Sequence, residues 1–132
     1  MILIQETMCN FSQALLSFSK IKPGWELCAI DASGLSSSLL SGWNPLLVRC
    51  KAFSSLACII LKASIKGISK VFSIINCYGP YSHRTDFWNN VLAGGLFALP
   101  NLLLDGDLNF TLPSSRVWGT RARLDPLSSY FS

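Results

Sequence analysis

The chain has 132 residues, which is about one domain or a piece of one, and half of them are apolar, enough to build a hydrophobic core. Only 14% are charged, against about 25% in typical domains, so we expect some of the surface to be covered or the chain to be incomplete. The net charge of +4 permits binding to a polyanion but does not require it.

The first predicted element is a short buried strand at residues 2–7, ILIQET. Gln5 and Glu6 interrupt its apolar run, and no basic segment precedes it, so the N-terminus is not a signal peptide. We therefore expect an intracellular protein, in the nucleus or the cytoplasm and not secreted.

A short amphipathic helix is predicted next, because Phe11, Leu15 and Phe18 recur at helical spacing. Asn10 and Ser12 are candidate caps, and Pro23 with Gly24 ends the helix. Further strands are then predicted at 25–32, 36–45 and 70–80, and the stretch 48–64 reads as two strand segments or one long bent strand.

The second predicted helix spans residues 83–99, where apolar side chains again recur at helical spacing. Gly94 and Gly95 weaken it by about 1 kcal/mol each, and Pro100 ends it. A last apolar strand follows at 101–107, and residues 113–132 read as a loop. The longest apolar stretch, 91–104, contains Pro100 and is shorter than the roughly 20 residues that span a membrane, so no membrane partner is expected.

The predicted order of elements is β α β β β β α β, with a helix between two apolar strands. This order predicts an α/β (α+β) fold built as a layered sandwich. The five cysteines are odd in number and form no C-x-x-C pair. We expect them to be small buried hydrophobes in a reducing compartment, with no metal site.

Four motifs place polar residues after apolar strands. They are LIQET (3–7), SGWNP (41–45), NCYGP (76–80) and DGDLN (105–109). Ligands of layered α/β folds bind at strand ends, and carboxylates with neutral donors suit Mg²⁺ and a phosphate. Each motif alone is also ordinary turn chemistry, so their order and spacing carry the prediction.

That order resembles the endonuclease/exonuclease/phosphatase superfamily, and especially the endonuclease domain of plant LINE-type (non-LTR) retrotransposons. The family's run is Q-E-T, then W-N-P, then N-x-Y-x-P, then G-D-F-N. The matching segments here are residues 5–7, 43–45, 76–80 and 106–109, and the tail at 118–127 is also similar. The resemblance covers nearly all of residues 1–132 and implies a partial four-layer α/β sandwich.

The resemblance also implies roles for single residues. Glu6 would be the metal ligand, with Mg²⁺ as the cofactor and Mn²⁺ as a substitute, and no small-molecule cofactor is implied. Tyr78 would lie beside the scissile phosphate, Asp107 would orient or deprotonate the attacking water, and Asn109 would hold a phosphate oxygen. The partner would be DNA, whose phosphates a basic cluster of Arg116, Arg121 and Arg123 could contact.

The chain departs from the family pattern in several places. The family has an upstream strand with an Asn and a later S-D-H motif with an essential His, and we expect this chain to lack both. Its single histidine, His83, follows Y-G-P and is expected to be an exposed first-turn residue. Ser37 and Ser38 replace paired glycines of close relatives, and Leu108 replaces the usual Phe.

Asp105 is an additional acid. If its strand persists, alternate side chains point to the same side, and Asp105, Asp107 and Asn109 lie on one face. Asp105 is then either an outer group of the site or a change without function.

Three functions are therefore left open by the sequence. The first is a fragment of a Mg²⁺-dependent, DNA endonuclease-like retroelement domain, a hydrolase expected to be inactive alone and to bind DNA weakly or not at all. The second is a non-enzymatic remnant or interaction module that keeps the sheet. The third is a phosphatase of small phosphorylated molecules.

Overall fold

A computed structural model describes residues 1–31, 38–55, 57–110 and 125–131. Their strands and helices form a mixed α+β structure with two sheets and two helices, as the predicted order of elements requires.

The first sheet has three antiparallel strands in the order β1-β3-β2. They are β1 (Ile2–Gln5), β2 (Glu26–Ile30) and β3 (Leu39–Trp43). Helix α1 (Phe11–Ile21) lies across this sheet and buries Ala14 and Phe18 against Leu40. A Cβ on Gly42 would lie 2.4 Å from the Phe18 ring, so glycine lets this ring rest directly on β3.

The second sheet has four strands in the order β4-β5-β6-β7. They are β4 (Val48–Ser55), β5 (Cys58–Ile65), β6 (Val71–Cys77) and β7 (Leu102–Asp105). The stretch 48–64 is thus two strands rather than one bent strand. Neighbours β4, β5 and β6 are antiparallel, whereas β6 and β7 are parallel and joined through helix α2 (Arg84–Ala93).

Apolar side chains from both sheets form a shared core. Leu39 and Trp43 of the first sheet pack with Ile59 and Leu61 of the second and with Tyr78. On its other face, the second sheet packs Ile75 and Cys77 against Trp88 of α2. The two sheets therefore face each other, and each helix covers one outer face.

The helix predicted at 11–18 is present and continues to Ile21. Asn10 is its N-cap, and its side chain and that of Gln13 form a reciprocal capping box. The face of the helix that is buried differs from the predicted one. Phe11 and Leu15 remain almost half exposed, while the smaller Ala14 occupies the contact with the sheet.

The helix predicted at 83–99 is shorter in the structure. It ends at Ala93, with Gly94 as its C-cap and Gly95 at φ 72°, and a 3-10 turn at Leu96–Ala98 follows. The two glycines end the helix instead of only weakening it, because a residue with positive φ after the last turn is a common helix stop.

The predicted loop at the end of the chain contains a short 3-10 helix at Pro126–Phe131. Leu127 is buried in the cluster around Trp88, and Arg84 pairs with Asp125. This segment therefore packs against α2. Residues 113–124 of the predicted loop lie outside the described part of the chain.

Candidate active site

The two sheets are joined by a polar side chain inside the core. Asn76 of β6 is fully buried. Its amide nitrogen donates to the carbonyl oxygens of Leu40 (3.0 Å) and Ile4 (3.3 Å) and to Ser41 Oγ (3.2 Å), and its oxygen accepts from Gln5 Nε2 at 2.6 Å. Buried polar groups need such partners, so these bonds fix β6 beside β1.

With β1 and β6 side by side, their ends meet. The Tyr78 hydroxyl donates to Glu6 Oε1 at 2.7 Å, between residues 72 positions apart in the chain. Tyr78 is 6% exposed, whereas Glu6 is on the surface. The phenol thus anchors a solvent-facing carboxylate by one of its two oxygens.

Ser38 stabilises the turn that carries Glu6. The Thr7 hydroxyl donates to Ser38 Oγ at 2.6 Å, and the Met8 N–H donates to the same oxygen at 3.1 Å. Ser38 is 3% exposed. Ser38 therefore supports this turn through its hydroxyl oxygen, while Ser37 lies outside the described residues.

Glu6 and Met8 both have positive φ, 52° and 53°. Such angles are uncommon for residues other than glycine and need support from their surroundings. The bonds to Ser38 provide that support, so the position of the Glu6 carboxylate is determined by the fold.

The DGDLN motif (105–109) contacts the same region through its backbone. The Gly79 N–H donates to the Asp107 carbonyl oxygen at 2.7 Å, and the Asn109 side-chain amide donates to the Gly79 carbonyl oxygen. Asp107 Oδ1 accepts from the Asn109 N–H at 3.0 Å. The turn after β7 is therefore docked on the residue that follows Tyr78.

The structure thus brings three motifs together, those of Glu6, Tyr78 and Asp107. In this arrangement the Asn109 amide is committed to Gly79, so Asn109 orders the turn. Its predicted contact with a phosphate, and the predicted action of Asp107 on a water, stay predictions.

The expectation that Asp105, Asp107 and Asn109 share one face of a strand is wrong. The strand ends at Asp105, and the backbone then turns, with φ 135° at Gly106 and 52° at Asn109. The alternation of side chains holds only while the backbone stays extended. Asp105 is exposed at the end of β7.

The W-N-P motif, to which no site residue was assigned, lies away from the other three motifs. Strand β3 runs antiparallel to β1, with Ile2 opposite Gly42 and Gln5 opposite Leu39, so Trp43 lies at the far end of the sheet from Glu6. Asn44 forms a turn there, accepting from the Leu46 N–H at 3.0 Å. Its role is structural.

His83 is at the N-terminus of α2 with a highly exposed side chain, as expected, and its Nδ1 is 3.8 Å from Asp86 Oδ2. Arg116, Arg121 and Arg123 lie outside the described residues. Within the described ranges, no group of three or more His, Cys, Asp or Glu side chains is arranged to hold a metal ion.

The roles of Asn76, Gln5 and Ser38 were not predicted from the sequence. The sequence does contain a sign that Asn76 is a structural residue. It is a lone amide within the apolar strand VFSIINC, and a polar residue in a strand predicted to be buried must find partners inside.

No protein-family model matches the chain, and a search of curated proteins found no significant match. In the part of the chain that the structure describes, no helix has both the length and the apolar character needed to cross a membrane.

Proposed function

We propose that the chain forms part of a Mg²⁺-dependent, phosphodiester-hydrolysing domain of the endonuclease/exonuclease/phosphatase type, similar to the endonuclease domain of plant LINE-type retrotransposons. The observation that carries this proposal is the hydrogen bond between Tyr78 and Glu6. The two residues belong to separate motifs, and the fold places them in direct contact at the surface.

The arrangement of layers supports the same proposal. The three apolar clusters place α1, the first sheet, the second sheet and α2 in that order. This order is compatible with the four-layer sandwich of the superfamily, and we propose that architecture for the chain.

A magnesium ion would bind at Glu6. The ion commonly takes one or two carboxylates, several waters and the phosphate of a substrate. Glu6 fits this pattern as a single ligand, because its carboxylate is exposed and the Tyr78 bond engages only Oε1. When bound, the ion would supply charge stabilisation at a phosphate.

The chain's own residues would position the substrate around that point. The Tyr78 hydroxyl, oriented by Glu6, would lie beside the scissile phosphate of DNA, and the exposed Asp107 carboxylate would orient the attacking water. Asn109 would keep the Asp107 turn in place through Gly79. Arg116, Arg121 and Arg123 would contact flanking phosphates.

Manganese binding tests the proposed ligand. We expect Mn²⁺ to bind the wild-type chain weakly, Glu6→Gln to lose this binding, and Asp86→Asn to retain it. Asp86 is the matched control, because it is also an exposed acid and lies on α2. Loss of the free Mn²⁺ signal in electron paramagnetic resonance measures the bound fraction. Equal binding by wild type and Glu6→Gln would overturn the assignment and favour the non-enzymatic alternative.

Catalysis by this chain alone is expected to be absent. The single histidine of the sequence, His83, is at the exposed N-terminus of α2, and we do not expect it to replace the histidine on which the family's chemistry depends. Loss of a key member of a hydrolytic site lowers the rate by on the order of 10³–10⁶-fold. We therefore expect no nicking of supercoiled plasmid in Mg²⁺ or Mn²⁺ beyond that of Glu6→Gln. Metal-dependent nicking that disappears in Glu6→Gln or Asp107→Asn would contradict this.

A non-enzymatic interaction module is the second candidate. It is favoured by one observation, that W-N-P forms a turn at the end of the sheet away from Glu6. Under this alternative Glu6 only accepts the hydrogen bond of Tyr78 and holds no metal ion. The manganese experiment therefore distinguishes the two functions.

A further inference from the structure

Two of the five cysteines are in contact inside the second sheet. Cys58 of β5 and Cys77 of β6 are directly opposite each other in the antiparallel ladder, and their sulfur atoms are 2.8 Å apart. Both residues are buried, at 3% and 0% exposure. The sequence predicts only that they are small buried hydrophobes, and 19 positions of chain separate them.

The backbone already has the geometry that a disulfide needs. Residues that face each other in an antiparallel pair have Cα atoms about 4.5–5.5 Å apart, within the 4.4–6.8 Å usual for disulfides. The sulfur atoms need to approach by less than ~1 Å to reach the bond length of about 2.05 Å. A bond between them therefore requires no rearrangement of β5 and β6.

A cavity gives a small molecule access to one member of the pair. It has a volume of about 260 Å³ and lies between the β4–β5 turn and α2, with Cys58, Ile60, Phe87, Val91 and Leu96 in its wall. Cys77 is not part of this wall. A reagent in the cavity thus meets Cys58 first.

We propose that Cys58 and Cys77 form an oxidation site, at which a small hydroperoxide entering this cavity converts the two thiols to a disulfide. The site is independent of the function proposed for Glu6 and Tyr78.

The reaction balances in two steps. Cys58 sulfur attacks the terminal peroxide oxygen and the O–O bond breaks, giving a sulfenic acid at Cys58, and the thiol proton leaves with the other oxygen, as water from hydrogen peroxide or as an alcohol from an alkyl hydroperoxide. Cys77 sulfur then attacks Cys58 sulfur, the S–O bond breaks, and the hydroxyl leaves with the Cys77 proton as water. Two electrons pass from the sulfurs to the peroxide.

The surroundings support this order of events. The hydrogen bond with Cys58 and burial both raise the pKa of the Cys77 thiol, so Cys77 is not the thiol that attacks the peroxide, and its proton leaves with the hydroxyl in the second step. Burial also raises the pKa of Cys50 to about 11, with a contribution from Glu26, so this thiol is a poor competitor near neutral pH.

Peptide mapping of the wild-type chain tests the proposal. The chain is treated with one equivalent of hydrogen peroxide, unfolded in N-ethylmaleimide, and digested with trypsin without reduction. Each of the five cysteines falls on a different tryptic peptide, with Cys58 in 52–62 and Cys77 in 71–84. We expect these two peptides to be recovered joined, two hydrogens lighter than their sum, while the other three cysteines carry the maleimide.

Two controls sharpen the result. A variant with Cys9, Cys28 and Cys50 replaced by Ser should form the same link, and peroxide treatment in urea should give random pairing among the five thiols. Recovery of Cys58 and Cys77 as separate maleimide adducts or sulfinic acids after the peroxide is consumed would overturn the proposal. A predominant link from either residue to another cysteine would do the same.

Discussion

Replacing Gly106 with alanine is expected to lower the free energy of unfolding strongly. Gly106 has φ 135°, and a Cβ there would lie 1.8 Å from the Cys77 carbonyl oxygen and 3.2 Å from the Cys77 nitrogen. Backbone atoms of a central strand cannot move aside as a flexible side chain can. We expect a loss of about 3 kcal/mol or more in the free energy of unfolding, from strain plus the displaced β6–β7 contact.

Urea denaturation followed by tryptophan fluorescence measures this loss. Gly67→Ala is the matched control, because Gly67 also has positive φ, 83°, but a Cβ there meets nothing within 4 Å. The control should therefore lose only the backbone cost of about 1–2 kcal/mol. Equal losses in the two variants would mean that the close approach of Gly106 to Cys77 is unimportant.

The second large effect is expected at Asn76. Asn76→Leu keeps the branched shape of the side chain but leaves the polar groups of Gln5 and Ser41 and two carbonyl oxygens without their partner in the core. An unsatisfied buried group costs about 1–3 kcal/mol, so we expect the free energy of unfolding to fall by about 2–4 kcal/mol.

A double-mutant cycle with Gln5→Leu separates the hydrogen bond from the general cost of the substitution. Removing both partners leaves fewer orphaned groups, so the double variant should lose less than the sum of the two single losses. Strictly additive losses in urea denaturation would show that Asn76 does not couple the sheets through Gln5.

The elements of the fold followed from local patterns, while their partners did not. The apolar run at 102–104 and the β-rich run at 71–77 were recognisable as strands, and the structure pairs them. Alternation identifies where a strand ends but not the direction in which it pairs. The sequence therefore did not show that antiparallel pairing of β1 and β3 places W-N-P at the other end of the sheet from Glu6.

The resemblance of motifs assigned Glu6 and Tyr78 to one site, but their hydrogen bond was not predicted, since no pattern in a single chain relates residues 72 positions apart. The side chains that fix this contact were missed, because Asn76 and Ser38 act through partners that the sequence does not reveal. The same limit applies to Cys58 and Cys77, which become neighbours only when β5 pairs with β6.

Two of the bonds that define the site run between the two sheets rather than within either of them. Gln5 reaches Asn76, and Glu6 reaches Tyr78, from one sheet to the other. Each sheet can keep its own ladder of backbone hydrogen bonds after the two have moved apart, as in a partial opening below the global unfolding transition. On warming, the hydrogen bond between Glu6 and Tyr78 would therefore break while circular dichroism still reports intact strands. The site would lose its geometry at a lower temperature than the one at which the fold unfolds.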